Sequence, residues 1–113
     1  MHPPRHVSQR ASIFCAAIAL AALASFTPAV AADTTITISN FAFAPEEATV
    51  AVGTKVIFKN GDDTVHSVLA DDGSFHSPAL DTGDEFAFTF AKAGVFSYHC
   101  GLHPFMQGKI IVK

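Results

Sequence analysis

The stretch Val95-Phe96-Ser97-Tyr98-His99-Cys100-Gly101-Leu102-His103-Pro104-Phe105-Met106-Gln107-Gly108-Lys109-Ile110-Ile111-Val112-Lys113 decides how this chain is read. Its first part alternates: Phe96, Tyr98 and Cys100 share one face and Val95, Ser97 and His99 the other. That is the two-residue period of a strand packed on one side. Residues 109–113 read as a closing strand. Between the two lies a loop that places Cys100, His103 and Met106 at three-residue steps. A turn leaving a strand end curls three such side chains toward one point.

Upstream, the same period recurs. Residues 34–39 alternate and are rich in β-branched side chains, which suit a pleated, half-buried surface. Phe41-Ala42-Phe43-Ala44-Pro45 is irregular. Residues 48–52 form a short strand ended by Gly53, and residues 54–59 alternate with Val56 and Phe58 on one face. Asn60-Gly61-Asp62-Asp63 is a turn signal. Residues 65–70 read as a strand ended by Asp71-Asp72-Gly73, and residues 74–84, with Pro78 and Gly83, as a loop. Residues 85–90 carry Phe86, Phe88 and Phe90 at period two. No stretch shows a 3.6-residue stripe. Seven to eight short strands with regularly spaced turns predict an all-β, antiparallel sandwich or barrel. The apolar residues at period two are assigned to its core.

The first 32 residues do not fit this pattern. Residues 1–10 are polar and carry Arg5 and Arg10 without an acid. Residues 11–26 are mostly apolar, and Ala29-Val30-Ala31-Ala32 offers small residues for cleavage. This is the layout of a secretory signal peptide. The apolar run is short against the ~20 residues of a membrane-spanning helix. No twin-Arg pair is present, so general secretion is the expected route. Residues 33–113 then form one exported domain, Cys15 leaves with the leader, and no stable membrane insertion is expected after processing.

The whole chain carries 7 Lys and Arg against 10 Asp and Glu, a net charge of −3. Both Arg lie in the leader, so the domain is more acidic still. That excludes the basic face a nucleic-acid binder needs and argues against an anionic membrane surface. Cys100 is the single Cys of the domain, so it forms no disulfide within it. A small exported domain usually relies on disulfides, and a metal offers the alternative constraint.

The loop, with His66 upstream, supplies the donors for one. Taken alone, a lone Cys is a small buried hydrophobe, a lone Met is core filler and a lone His is surface or satisfied core. Together, His66, Cys100, His103 and Met106 make the donor set of a blue-copper electron-transfer site, trigonal His₂Cys with a weak axial Met. Thiolate and thioether suit Cu(I), imidazole suits both copper states, and zinc makes little use of a thioether. His99 points to the opposite strand face from Cys100. His76 lies in a loop without a partner signal and reads as solvent-exposed.

The ligand loop resembles that of the cupredoxin family. Cys-x-x-His-x-x-Met, read here as Cys100 to His103 to Met106, is similar to the short loop of the amicyanin branch. Tyr98-His99-Cys100, His103-Pro104-Phe105-Met106 and Gly108 extend the likeness, and Phe58-Lys59-Asn60 followed by His66 resembles the family's upstream strand and ligand. The resemblance implies a Greek-key β-sandwich that binds one type 1 copper through His66, Cys100, His103 and Met106. It implies a periplasmic, monomeric carrier of single electrons rather than an enzyme. Leu102, Pro104 and Phe105 would form the apolar patch around His103 at which redox proteins dock, a quinoprotein dehydrogenase and a c-type cytochrome by analogy. A copper storage or delivery protein is the alternative use of the same residues. The acids Asp62, Asp63, Asp71, Asp72, Asp81, Asp84 and Glu85 lie in or beside turns, where they either steer a basic partner or form a solvated surface. Two residues depart from the family pattern. Ser67 stands where many relatives have an Asn that bonds across to the ligand loop, and Val65 where many have Pro.

Overall fold

A computed structural model describes residues 2–4 and 32–113. The apolar run of the predicted leader and most of its cleavage motif lie outside the described residues. Among the described residues, no helix is long and apolar enough to cross a membrane. The chain forms eight strands: β1 (Thr34–Ser39), β2 (Ala42–Ala44), β3 (Glu47–Val50), β4 (Thr54–Asn60), β5 (Leu69–Ala70), β6 (Glu85–Phe90), β7 (Gly94–His99) and β8 (Gln107–Val112). They make two four-stranded sheets, β2-β1-β4-β6 and β3-β8-β7-β5. This is the expected all-β sandwich.

The pairing is mixed rather than wholly antiparallel. β1 runs parallel to β4, with Ile36 opposite Phe58, and β3 runs parallel to β8, with Ala48 opposite Ile110. The remaining pairings, β1–β2, β4–β6, β5–β7 and β7–β8, are antiparallel. Period-two patterning reports which face a strand buries. It carries nothing about the direction of its neighbour, so the two parallel pairs were not visible in the sequence.

Two other differences are local. Residues 42–44 form the edge strand β2, too short for alternation to show. Of residues 65–70, only Leu69 and Ala70 join a ladder. The segment before them doubles against the following loop instead. His66 exchanges main-chain bonds with Leu80 at 3.1 and 2.7 Å. Val68 N–H donates to Ser77 Oγ at 2.8 Å, while Ser77 N–H donates to Val68 O. A serine hydroxyl thus replaces one rung of a sheet ladder, a local alternative to regular pairing.

The core lies between the sheets. Ile36, Ile38, Val56, Phe58 and Ile110 are fully buried on the inward faces that alternation selects, and Val68 joins them from the segment outside the ladder. Tyr98 meets Phe43 and Phe58 edge-on, at ring centroids 4.8 and 5.2 Å apart, a favoured aromatic geometry. The chain can bring β8 this close only because residue 108 is glycine. A methyl group there would overlap the Tyr98 ring and hydroxyl.

The Tyr98 hydroxyl is buried and has no hydrogen-bond partner among the described residues. Burial pushes its pKa above the ordinary phenol value, and the charge of Glu46 adds to the effect. Removing such a hydroxyl leaves the packing and deletes a desolvated group, a change that is neutral or stabilising. Tyr98→Phe is therefore expected to keep or raise stability, by up to ~1–3 kcal/mol. Urea denaturation of the two apoproteins checks this, and a loss above 1 kcal/mol would mean that the hydroxyl has a partner.

Candidate metal centre

The upstream histidine is placed by a turn built around one amide. Asn60, the last residue of β4, is fully buried. Its Nδ2 donates to Thr64 O and Leu80 O, each at 2.9 Å, and its Oδ1 accepts the Asp62 N–H at 2.9 Å. The main chain therefore reverses around Asn60 and delivers His66 to the end of the sandwich, where its side chain is fully buried. The ring Nε2 lies 2.8 Å from Asp62 Oδ2. A carboxylate at Nε2 selects the tautomer with the proton on that nitrogen and leaves Nδ1 free as a donor atom.

Nδ1 of His66 faces Cys100 Sγ at 3.7 Å. Cys100 follows the last residue of β7 and is fully buried as a free thiol. The loop then closes on itself: Cys100 N–H donates to Met106 O at 3.0 Å, and Met106 N–H donates to His103 O at 2.9 Å. That turn swings His103 back, with its Nδ1 3.8 Å from Sγ. The ligand atoms of His66, Cys100 and His103 lie within 4.8 Å of one another. Met106, which closes this loop through its main chain, is itself buried in the core. Three of the four predicted donors, His66, Cys100 and His103, thus converge from two distant parts of the chain.

The spacing suits one ion. Metal–nitrogen and metal–sulfur bonds of ~2.0 and ~2.3 Å at trigonal angles put the donors ~3.7 Å apart, which matches both nitrogen–sulfur separations in the structure. Two imidazoles, a thiol and a thioether are a mixed soft and borderline set, the set that suits copper in both its oxidation states.

Ser67 does reach the ligand loop, despite being shorter than Asn. Gly101 N–H donates to Ser67 Oγ at 2.9 Å, and Ser67 N–H points at Cys100 Sγ at 3.4 Å. The short reach works because residue 101 has no side chain. A Cβ there would sit 2.9 Å from Ser67 Oγ and 2.9 Å from a Leu69 methyl. Ser67→Ala leaves the Gly101 N–H unpaired in a partly buried site. It is expected to cost ~1–3 kcal/mol in apoprotein denaturation, and no change would show that water replaces the hydroxyl.

Three residues matter here that the sequence reading passed over. Asn60, in sequence a turn signal and the end of the family-like Phe58-Lys59-Asn60 stretch, shapes the turn that carries His66. Asp62, one of the turn acids, has a mostly buried carboxylate. It accepts Asn40 N–H at 2.6 Å and Phe41 N–H at 2.9 Å, besides the His66 ring. The Phe41 amide, the His66 ring and the Asn40 amide hold its pKa below the usual carboxylate range, against partial desolvation. Phe41 was read as part of an irregular segment. Its ring meets His66 and His103 edge-on, at 5.2 and 5.1 Å, and stacks on Phe105 at 6.5 Å. The available signal was an Asp four residues before a candidate ligand, the reach of one tight turn.

His99 lies where strand alternation places it, on the outer face of β7, with Nδ1 2.6 Å from Asp71 Oδ1. His76 is exposed, as expected of its loop. Several turn acids are engaged locally: Asp72 Oδ1 accepts the Ser74 N–H and Asp84 Oδ2 the Asp81 N–H.

Known proteins give the same picture. The family model described as "Cupredoxin-like domain" matches residues 12–112. Amicyanin from Paracoccus versutus is 33% identical over 72 residues, which cover 59% of this chain and 54% of that protein. The chain thus spans about half of that relative. A purple cupredoxin from Nitrosopumilus maritimus superposes with a TM-score of 0.67 at 32% identity, over 72% of this chain and all of that one. The copper-containing nitrite reductase of Thermus scotoductus superposes with a TM-score of 0.68 at 30% identity, over 73% of this chain but only 22% of the enzyme. With a two-sheet sandwich, a Cys-His-Met loop at one end and a match over nearly its whole length, the chain belongs to the cupredoxin-like family.

Proposed function

We propose that this protein is a periplasmic blue-copper electron carrier, with His66, Cys100, His103 and Met106 as the ligands of one type 1 copper. The observation that carries the reading is the convergence of two imidazole nitrogens on one buried thiol, at 3.7 and 3.8 Å. Bound copper would supply a one-electron Cu(II)/Cu(I) couple. The protein's part is to hold the donors still. His66 is fixed by Asp62 and by its backbone pairing to Leu80. The Cys100 sulfur receives the Ser67 N–H, and the ligand loop is closed by its own main-chain bonds. Donors fixed this way need little movement between oxidation states.

His103 is the ligand nearest solvent, half-buried where His66 and Cys100 are fully buried. Exposed Leu102, Pro104, Phe105 and Phe41 surround it. Exposed apolar groups gathered at one place mark a partner site. A redox protein docking there meets the His103 ring by the shortest path to the metal. A quinoprotein dehydrogenase as donor and a c-type cytochrome as acceptor fit by analogy with the amicyanin-like loop. The carrier acts as a monomer, exported by cleavage near Ala31 and Ala32.

Two other uses of the fold fit the site less well. The nitrite reductase is a much longer chain, and among the described residues the only cluster of His, Cys and acids able to hold a metal is the one at Cys100. Among the described residues, no second cluster of this kind is present for a catalytic copper. Copper storage or delivery uses the same donors but needs ready release, which a buried, bond-fixed set opposes. The test is the visible spectrum of the purified protein with Cu(II). An intense blue thiolate band, bleached by ascorbate and restored by ferricyanide, supports the carrier. A pale complex, or copper lost to a mild chelator after reduction, overturns it in favour of delivery.

A further inference from the structure

The turn between β1 and β2 is built in an unusual way. Asn40 and Phe41 have φ angles of 52° and 55°, so two consecutive non-glycine residues occupy the left-handed region. Side chains other than glycine disfavour it by about 1–2 kcal/mol each. The conformation persists only where the surroundings hold it. What holds it is one side chain from another turn, the Asp62 carboxylate, which accepts both N–H groups. The same carboxylate takes the His66 ring nitrogen on the side away from Cys100. The turn it holds delivers Phe41, whose ring lies edge-on to His66 and His103.

We propose that Asp62 is a positioning residue that joins the β1–β2 turn to the metal centre. It sets the His66 tautomer and, through the two amides, keeps the Phe41 ring on both imidazoles. This rests on the copper reading above. The two strained amides act in return on Asp62. They fix the carboxylate's orientation, so that Oδ2 meets His66 along one direction. A surface turn thereby becomes part of the ligand geometry, and Phe41 becomes a side chain of the proposed docking face that touches both ligand rings.

The test uses Asp62→Asn and Asp62→Ala in the purified protein. In the apoprotein, long-range ¹⁵N NMR of the His66 ring reads the tautomer without any copper. Wild type is expected to carry the proton on Nε2, and Asp62→Ala to give a mixture. Phe41 ring signals are expected to shift together with those of His103. In the copper-loaded protein, loss of the carboxylate makes His66 a weaker donor to Cu(II). The expected result is a higher potential and a fall in Cu(II) affinity of about 10–100-fold. Asp62→Asn keeps an acceptor oxygen without the charge, and its effect is expected to be the smaller one. It also serves if Asp62→Ala does not fold. An unchanged tautomer, potential and Phe41 environment in the Asp62 variants overturns the proposal even with a blue wild type. A wild type that takes up no copper overturns the copper reading instead and leaves the apoprotein NMR to judge Asp62.

Discussion

Cys100→Ser is expected to remove the blue absorption altogether, while the apoprotein stays folded. The thiol lies between the two imidazoles and is the single sulfur able to carry a negative charge at the site. A thiolate is both a strong ligand and the source of charge-transfer colour. A serine hydroxyl stays protonated near neutral pH, is a hard and weak donor, and has no such transition. The loss of copper affinity should exceed the ~10–100-fold cost of deleting a hydrogen-bond partner of a ligand, because here the ligand itself goes. The fold has less reason to suffer. The replacement is nearly isosteric, and the Ser67 N–H that points at Sγ offers the new oxygen a donor. The measurement is titration with Cu(II), followed in the visible and by competition with a chelator, beside thermal denaturation of the apoprotein. Blue colour in the variant would sink the thiolate assignment. Loss of colour together with loss of fold would make Cys100 a packing residue first.

The donor set was legible because it is short-range chemistry. Cys100, His103 and Met106 fall within one loop, so spacing alone announces them, and His66 was added by donor type. The strands were legible where one face is buried along several residues, as in β1, β4 and β8. What sequence did not carry was long-range pairing. The parallel contacts of β1 with β4 and β3 with β8 leave no periodic mark. Nor did β2, where two residues with positive φ precede a three-residue strand. The supporting residues failed to show for a different reason. Asp62 and Asn60 belong to residue types that usually sit in solvated turns, and only the fold reveals that this turn is packed beneath a ligand. Phe41 was hidden because its ring partners His66, His103 and Phe105 are all more than twenty positions away. Ser67 reaches the ligand loop despite its length because its short side chain is matched by a glycine at 101.

The second large effect is expected at Asn60. Substitution by alanine removes three hydrogen bonds in one step. Leu80 O retains the His66 N–H, so the groups left without partners are Thr64 O and the Asp62 N–H. Each unsatisfied group costs ~1–3 kcal/mol, so Asn60→Ala is expected to lose ~3 kcal/mol of apoprotein stability. That is a large share of the ~5–15 kcal/mol typical of a folded domain. Copper sharpens the effect. The turn that Asn60 holds carries both Asp62 and His66, so loosening it weakens metal binding as well as the fold. A ligand that binds only the native state adds stability in proportion to its affinity, and the variant's deficit should therefore be larger with copper than without. Asn60→Asp separates this account from simple loss of volume. It keeps the shape and an acceptor for the Asp62 N–H, but turns a carboxylate oxygen toward the carbonyls of Thr64 and Leu80 where an amide donated. Two acceptors then face acceptors, and the aspartate variant should be no more stable than alanine despite filling the site. Urea denaturation of all three proteins, with and without copper, decides the matter. Rescue by aspartate, or an equal deficit in the two states, would show that Asn60 fills space rather than shaping the turn that presents His66.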